Sequence, residues 1–435
     1  MRAVRRAPCL LLAFALLGAS APARADDAPP SPPPAKPRSP ITVSGFVHAD
    51  WTVFRQTSQD EVTPDGQPLN EDRFLVRRAR LRATAEHGIT HAALEIEGNT
   101  VNGPEVRPVN AEASLKWPAE RPAYDPTLDQ RGLASPPWFM VTAGLIPAPF
   151  GFEAGEGAVR RPFLETTSMS QAFFPGLFDV GARVLGGFSF VTWALGIMNG
   201  EPIGQKAFAA RDPDKSKDLL FRLGGAGEVA EGVRLELGVS GLTGRGFRRG
   251  RPATADQVQW RDVNEDGVVD PIELQGVPGS PAEPSATFKR FAIGADARAY
   301  ARFPVLGELA VRAEIVRASN LDRGLFVADP VAMGHDLREL GFYVGATQEI
   351  TRYAQVGLRY DRYDPDADAS ERTPFALVPR DLAMSTWSFL AAARAPFGRL
   401  VAQYDRRRNA LGRDATGSPT TLADDSFTLR AEARF

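Results

Sequence analysis

A cluster of arginines stands inside an otherwise apolar segment early in the chain. The stretch FLVRRARLRATAEH, residues 74–87, places Arg77, Arg78, Arg80 and Arg82 within six residues. A guanidinium group donates two parallel hydrogen bonds to phosphate or carboxylate oxygens, so this cluster could bind anions. Basic clusters are also typical of segments that bind nucleic acid. The choice between these two chemistries depends on the element that carries the arginines.

Residues 262–273 form a second group with possible ligand chemistry. Their sequence, DVNEDGVVDPIE, fits the calcium-loop pattern D-x-[DN]-x-[DN]-G-x₅-E at every position. Oxygen ligands are expected from five side chains and one backbone carbonyl, that of the valine: Asp262, Asn264, Asp266, Val268, Asp270 and Glu273. We expect a structural Ca²⁺ in this loop. The alternative is an acidic surface loop without metal, because Asp, Asn and Gly are common turn residues.

Alternation with a period of two residues assigns the arginines to a β-strand. Arg78, Arg80 and Arg82 share one face of that strand, and Leu81 with its apolar neighbours occupies the other. Arg77 falls on the apolar face, where its long side chain could extend to an aqueous rim; a β-bulge is the alternative. The strand therefore has a row of guanidinium groups on one face and an apolar surface on the other.

The same alternation recurs along the chain and predicts 16 strands of about ten residues. Their expected first residues lie near positions 41, 72, 89, 110, 137, 178, 189, 218, 232, 288, 307, 338, 352, 381, 397 and 425. Long connections follow the odd-numbered strands and mostly tight turns follow the even-numbered ones, with a proline-rich exception at 118–136. This pattern is typical of a transmembrane antiparallel β-barrel with long extracellular loops and short periplasmic turns. A secreted soluble β-protein is the alternative, because its strands alternate too.

The beginning of the chain indicates export. Residues 1–25 combine a basic start, a short apolar run and a small-x-small cleavage site, which predicts a signal peptide. Residues 26–40 are proline-rich and predict an extended periplasmic tether. Residues 41–435 would form the barrel, with the calcium motif inside a long extracellular loop at 244–287. Cys9 is the only cysteine, so the exported part would have no thiol chemistry.

Charge, histidine spacing and motifs argue against a nucleic-acid-binding protein and against an enzyme. The formal net charge is −2, and arginines and carboxylates are mixed along the chain, which argues against nucleic-acid binding. His87 and His91 flank a predicted strand turn and do not present a zinc pair. The G-x-S-x-G elbow of many hydrolases does not occur in the sequence. We therefore expect no enzymatic activity.

Several segments resemble the phosphate-selective porin O/P family of outer-membrane channels. They are GFVHADW with RFLVRRARLRATAEHGITHAALEIEG, then VTAGLIPAPFGFEAG through RRPFLETTSMSQAFFPGLFDVGARVLGG with WALGIMNG, and the terminal Phe435 on an alternating strand. The resemblance implies a 16-stranded, usually trimeric barrel whose third long loop, here 147–177, folds into the lumen. It also implies pore-lining, anion-binding roles for Arg78, Arg80 and Arg82 and, in the third loop, for Arg160 and Arg161.

Two features depart from that family pattern. The chain has only six lysines, whereas the family supplements its pore arginines with lysines. Acidic residues such as Glu95, Glu97 and Asp296 also occupy inward positions, where they could neutralise wall arginines. Selectivity for phosphate is therefore the least supported of these expectations.

The expected function is a passive, water-filled diffusion channel for small, anionic solutes such as phosphate, in the outer membrane of a Gram-negative-type bacterium. No cofactor would be required for transport. The expected partners are outer-membrane lipid, two further copies in a homotrimer, small inorganic anions and, during biogenesis, the barrel-assembly machinery. The alternatives are a structural or non-selective barrel or adhesin, and a channel for other small solutes without phosphate selectivity.

Overall fold

A computed structural model describes residues 41–55, 72–124, 136–208, 211–372, 376–410 and 424–435. The predicted signal peptide (1–25) and tether (26–40) lie outside the described residues. Sixteen strands close into one antiparallel barrel, in which the first strand also pairs with the last. Within the described ranges, no helix has both the length and the apolar character needed to span a bilayer.

The strands follow one another around the barrel in the order of the sequence. The first nine strands are β1 (Ile41–Arg55), β2 (Asp72–His87), β3 (Thr90–Asn99), β4 (Glu105–Trp117), β5 (Phe139–Pro147), β6 (Phe178–Phe188), β7 (Val191–Met198), β8 (Asp218–Ala230) and β9 (Val233–Arg248). A hairpin outside the barrel follows, made of β10 (Gln257–Trp260) and β11 (Leu274–Val277). The barrel continues with β12 (Ala286–Phe303), β13 (Gly307–Ser319), β14 (Leu340–Thr351) and β15 (Ala354–Asp364).

A second outer hairpin interrupts the last quarter of the barrel. It consists of β16 (Ser370–Arg372) and β17 (Leu377–Pro379). The barrel closes with β18 (Met384–Ala395), β19 (Gly398–Asn409) and β20 (Asp425–Arg434). Two short α-helices lie in connections, α1 (Ser168–Phe173) and α2 (Pro330–Met333). The all-β, 16-stranded architecture confirms the prediction made from alternation.

Predicted strand starts agree with the structure to within five residues, and the largest difference concerns β4. This strand begins at Glu105 rather than near 110, so the connection before it is short, not long. Pro108 lies inside the strand beside a register shift, where a missing N–H is tolerated. The long loop predicted at 244–287 spans 249–285, because β9 and β12 stay paired as far as Arg248 and Ala286.

The two faces of the barrel differ in polarity, as β3 illustrates. Leu94 and Ile96 point outward and are exposed, whereas His91, Glu95 and Glu97 point inward and are buried. The closed sheet pairs the strand backbone internally, so the outer surface can contact hydrocarbon. An apolar exterior around a charged interior is the arrangement of a transmembrane barrel.

An apolar cluster inside the lumen joins the connection 148–177 to the wall. Aromatic and aliphatic side chains of this connection pack against inward residues from β8, β9 and β12–β15. The buried members of the cluster include Phe150, Met169, Phe173, Phe174, Leu220, Leu242, Ala292, Val316, Tyr343 and Tyr363. The segment therefore folds into the barrel, as the family resemblance implied.

Candidate functional site

The connection 148–177 forms a loop across the lumen, which we call the constriction loop. It begins with a 3₁₀ turn at Glu153–Gly155 and later contains α1, whose first turn is capped by the side chain of Thr167. Gly151 has a φ of 61°, and a Cβ there would collide with the carboxylate of Glu314. The loop can therefore approach β13 closely at this glycine.

One end of the constriction loop is bound to β9 and β13. The N–H of Gly151 donates to Ser240 Oγ over 3.0 Å. The N–H groups of Phe152 and Glu153 donate to Glu314 Oε2 over 3.2 and 3.1 Å. The Glu314 carboxylate and the Ser240 hydroxyl thus accept the hydrogen bonds that hold the chain where it enters the lumen.

The middle of the loop is bound to the opposite wall. Arg430 of β20 donates to the Leu164 carbonyl over 2.8 Å and to Glu165 Oε1 over 2.8 Å. The Leu164 N–H donates to Gln403 Oε1 of β19 over 3.0 Å. Anchors on both walls hold the loop across the barrel interior.

Glu165 collects three guanidinium groups. Arg78 contacts both of its oxygens, over 3.1 and 2.7 Å, and Arg77 contacts Oε1 over 3.1 Å. Burial by itself would raise the pKa of the Glu165 carboxyl, but the charges of Arg78, Arg77 and Arg430 outweigh burial and hold that pKa well below its ordinary value. The carboxylate is therefore the charged hub between β2, β20 and the loop.

Arg77 differs from the expectation that it extends along the apolar face to a rim. His48 pairs with Arg78 and Ala49 pairs with Val76, so Arg77 is the extra residue of a β-bulge. The bulge turns its side chain into the lumen, where it contacts Glu165. The alternative of a bulge, which the sequence left open, is the one that the structure shows.

The predicted arginine row, Arg78, Arg80 and Arg82, lies on the inner face, and each member contacts carboxylates. Arg80 donates to Glu97 over 2.7 Å and to Glu95 over 2.9 Å. Arg82 donates to the other oxygen of Glu95 over 2.8 Å. The row therefore forms part of an interlocked ion-pair network along β2 and β3.

The two arginines predicted in the constriction loop have different surroundings. Arg161 is buried, and its Nε and Nη2 donate to the Glu156 carbonyl over 3.1 and 2.8 Å. Burial lowers its pKa to about 10. Arg160 is exposed and lines a large internal cavity.

That cavity, of about 1030 Å³, lies between the constriction loop and the short-turn rim and is bordered by β6–β9 and β12–β14. Seven arginines and five glutamates line it, an excess of two positive charges among the lining side chains, and one of these arginines, Arg222, is paired with Asp296 outside the lining. They are Arg160, Arg183, Arg222, Arg234, Arg298, Arg302 and Arg312, with Glu156, Glu228, Glu236, Glu308 and Glu349. Apart from Arg160, these arginines were not among the predicted site residues.

Phe152 of the constriction loop lies against two of the cavity arginines. Arg298 and Arg312 are direct cross-strand partners, and their guanidinium carbons lie 3.6 and 5.6 Å from the Phe152 ring centroid. Like charges placed opposite each other repel. Glu236, 2.6 Å from Arg298, and Glu156, 2.9 Å from Arg312, offset that repulsion. The alternation in RFAIGADARAYARF already placed Arg298 on the inner face and was the available signal.

The calcium-loop sequence occupies the tip of the β10–β11 hairpin. The N–H groups of Asp266 and Gly267 donate to the Asp262 carboxylate over 3.2 and 2.8 Å, and Gly267 has a φ of 72°. Glu273 accepts from Trp260 Nε1 over 3.1 Å and from the Val263 N–H over 3.0 Å. In the part of the chain that the structure describes, no three His, Cys, Asp or Glu side chains are grouped to hold a metal ion.

Solved structures with the same fold are outer-membrane barrels. The outer-membrane channel DcaP of Acinetobacter baumannii has 11% identity and a TM-score of 0.51, covering 91% of this chain and 97% of that chain. Salmonella typhi OmpF in complex with daunomycin has 10% identity and a TM-score of 0.51, with coverage of 91% and 97%. A loop L8 deletion mutant of Vibrio cholerae OmpT has 10% identity and a TM-score of 0.50, with coverage of 91% and 99%.

No protein-family model and no curated protein sequence matches the chain. At such low identities the structural likeness shows the fold alone. A closed 16-stranded barrel with an apolar exterior belongs to the outer membrane of a Gram-negative-type bacterium.

Proposed function

We propose that the protein is a passive, water-filled diffusion channel with a preference for small anions, such as inorganic phosphate. The observation that carries the proposal is the arginine excess around the cavity below the constriction loop. The similarity to DcaP, which is described as an outer-membrane channel, supports the channel part of the proposal. The resemblance of the β2 and constriction-loop segments to phosphate-selective porins supports the anion part.

Fixed guanidinium groups would attract anions and replace part of their hydration shell. Several weak contacts in series allow a solute both to enter and to leave. Arg160 and Arg302 are exposed and line the cavity, so they are the first groups that a solute would meet there. The role predicted for the arginine row remains part of the proposal, but its paired carboxylates reduce the positive charge it can offer.

Single-channel recording in planar bilayers under a salt gradient tests this function. The expected reversal potential favours anions, and Arg302→Glu should shift it toward cation preference because it reverses a charge in the cavity. Arg352→Glu, an exposed site in the β14–β15 turn, is the matched control and should leave the reversal potential nearly unchanged. Arg80→Glu tests the arginine row in the same assay.

A cation-favouring reversal in the parent protein would contradict the anion preference. Correctly folded protein without any conductance would instead favour the structural-barrel or adhesin alternative. Adding phosphate, pyrophosphate, chloride and small carboxylates in turn ranks the solutes, and equal permeation by all of them would remove phosphate selectivity from the proposal.

We further propose that the β10–β11 hairpin tip binds one Ca²⁺ in a structural role. Asp262, Asn264, Asp266, Val268, Asp270 and Glu273 supply the oxygen donors that this ion requires. Gly267, whose φ lies in the left-handed region, provides the sharp turn of such loops. Glu273 would have to give up its hydrogen bond with Trp260 to become a ligand. Binding would therefore change the surroundings of this tryptophan.

Terbium binding measures this site directly, because Trp260 lies next to Glu273 and can sensitise the luminescence of a bound lanthanide. We expect luminescence that Ca²⁺ displaces and that Asp262→Asn abolishes. Glu265→Gln, at a position of the motif without a ligand role, is the control. Luminescence that is equal in Asp262→Asn and the parent protein would show that this loop is an acidic turn without a metal.

We also propose assembly as a homotrimer through the β1–β8 side of the barrel. Among the described side chains, the outward faces of these eight strands carry no lysine or arginine. Leu94→Arg on β3 should dissociate the assembly in native mass spectrometry, whereas Val356→Arg on the outward face of β15 should not. An unchanged trimer in Leu94→Arg would place the interface elsewhere.

A further inference from the structure

Six cations stand on the outward face of the barrel at its long-loop end. They belong to β9, β12, β13, β15 and β19, and we call them the basic rim: Arg245, Lys289, Arg317, Arg362, Arg406 and Arg408. Lys289, for example, shares its face with the exposed Phe291 and Ile293. The rim therefore borders the surface that contacts lipid, not the lumen.

The basic rim differs from the lumen in its pairing. In the lumen, guanidinium groups contact carboxylates, as the ion pairs of the arginine row and of Glu165 show. Of the six rim cations only Arg362 lies within 4.0 Å of a carboxylate of the described residues, Asp381. The rim thus offers positive charge that the described part of the protein does not compensate.

Three rim cations lie on neighbouring strands. Lys289 of β12 pairs directly with Arg245 of β9, whereas Arg317 of β13 pairs with Ile293, four residues further along β12. Neighbouring strands are about 4.8 Å apart. The side chains of Lys289 and Arg245 can therefore converge on one phosphate group, while Arg317, about 14 Å further along the strand direction, can contact a second phosphate of the same headgroup.

An apolar groove of about 780 Å³ lies on the same outward surface, toward the middle of the membrane. Small residues, Ala295, Ala297 and Ala313, form its floor, while Val239 and Ile315 stand at its sides. Ile315 is the next outward residue after Arg317 on β13, so the groove starts beside this rim cation. A positively charged surface thus continues into an apolar groove.

We propose that Arg245, Lys289, Arg317 and this groove form a binding site for a phosphorylated, acylated glycolipid of the outer leaflet. The long loops of such barrels face outward from the cell, which places the rim at the level of the outer-leaflet headgroups. One phosphate would contact Lys289 and Arg245, a second phosphate would contact Arg317, and one acyl chain would lie over the alanine floor. Lipopolysaccharide has both parts, whereas a soluble anion would use only the rim.

Native mass spectrometry of the full chain in a non-ionic detergent measures this binding. The probes are deep-rough lipopolysaccharide, the same lipid after removal of its phosphates, and phosphatidylglycerol. Each cation near a membrane surface contributes a factor of about five to anionic lipid binding. Lys289→Gln with Arg317→Gln should therefore weaken lipopolysaccharide binding about thirtyfold, and the dephosphorylated lipid should bind similarly weakly to the parent.

The matched control is Arg302→Gln with Arg352→Gln, which removes the same charge from the cavity and the short-turn rim and should change binding less than about twofold. Ala313→Phe keeps the rim and fills the groove, so it should also weaken lipopolysaccharide binding. Equal binding by the rim double variant and the parent would overturn the site. Phosphatidylglycerol binding as strong as lipopolysaccharide binding would overturn the glycolipid assignment. These measurements do not depend on conductance, so they stand apart from the channel proposal.

Discussion

Arg430 provides the sharpest test of how the constriction loop is held. Its side chain is 1% exposed, and it donates to Asp50 through Nε and Nη2, each over 2.7 Å. The same guanidinium donates to Leu164 O and to Glu165 of the loop, each over 2.8 Å. Four charge-assisted or carbonyl hydrogen bonds thus depend on one residue between β1, β20 and the loop.

Arg430→Met keeps most of the volume and removes all four donors. The buried carboxylate of Asp50 would lose both hydrogen bonds from Arg430, and breaking a buried ion pair from one side costs about 3–5 kcal/mol. The Leu164 carbonyl loses a donor as well, although Glu165 keeps Arg77 and Arg78. We therefore expect the free energy of unfolding to fall by about 4 kcal/mol.

Urea unfolding of the protein refolded into lipid vesicles, followed by tryptophan fluorescence, measures that loss. Arg434→Met is the control on the same strand, because its side chain is 40% exposed and its pair with Glu432 should be worth less than about 1 kcal/mol. Adding Asp50→Asn to Arg430→Met should recover part of the stability, since the unpaired charge is then gone. A loss below about 1 kcal/mol for Arg430→Met, or no recovery in the double variant, would refute this account of the anchor.

Three further predictions concern the constriction loop and a neighbouring connection. Phe173 is 1% exposed and meets Tyr363 edge-on, so Phe173→Ala should lower the free energy of unfolding by about 3–5 kcal/mol, and an unchanged urea midpoint would contradict the packing. Burial raises the pKa of Glu201 from 4.5 to about 7. In the unfolded chain this carboxyl ionises from about pH 4.5, so the free energy of unfolding of the parent protein should fall as pH rises toward 7. Glu201→Gln should lack that fall. If the change in unfolding free energy between pH 5 and pH 8 were equal in the variant and the parent, this role of Glu201 would be excluded. Arg77→Ala should cost less than about 1 kcal/mol in the same unfolding assay, because Arg77 is 30% exposed and Glu165 keeps two other partners; a loss above 3 kcal/mol would show that the bulge arginine is indispensable.

Strand number and strand position were predictable because alternation is a local property. In a membrane barrel one face of every strand meets lipid and the other meets the lumen, so each strand must repeat the same two-residue pattern. Ten residues suffice to show it, as in the Phe435 segment, where the observed strand begins at the predicted residue 425. The start of β4 was placed five residues too late, because the strand continues through Pro108, a proline next to a bulge, which stays inside the sheet.

The site was less predictable, because its partners are distant in sequence. Arg78 and Glu165 are 87 residues apart, and Arg430 and Asp50 are 380 apart. The sequence indicated that arginines and acids share the inner face, but many pairings are compatible with that rule. Arg77 shows the same limit, since the bulge that turns it inward depends on the register between β1 and β2.

The residue pattern alone predicted a lipid-facing barrel with charged residues on its inner wall, because side-chain alternation assigns most residues to a face without reference to any other strand. The tertiary structure decided which of those charges are compensated. Closure brings β1, β2, β20 and the constriction loop together, so that Glu165 meets Arg77, Arg78 and Arg430. The same closure leaves the arginine excess around the cavity on the opposite wall, where pairing across distant strands, not local sequence, sets the net charge.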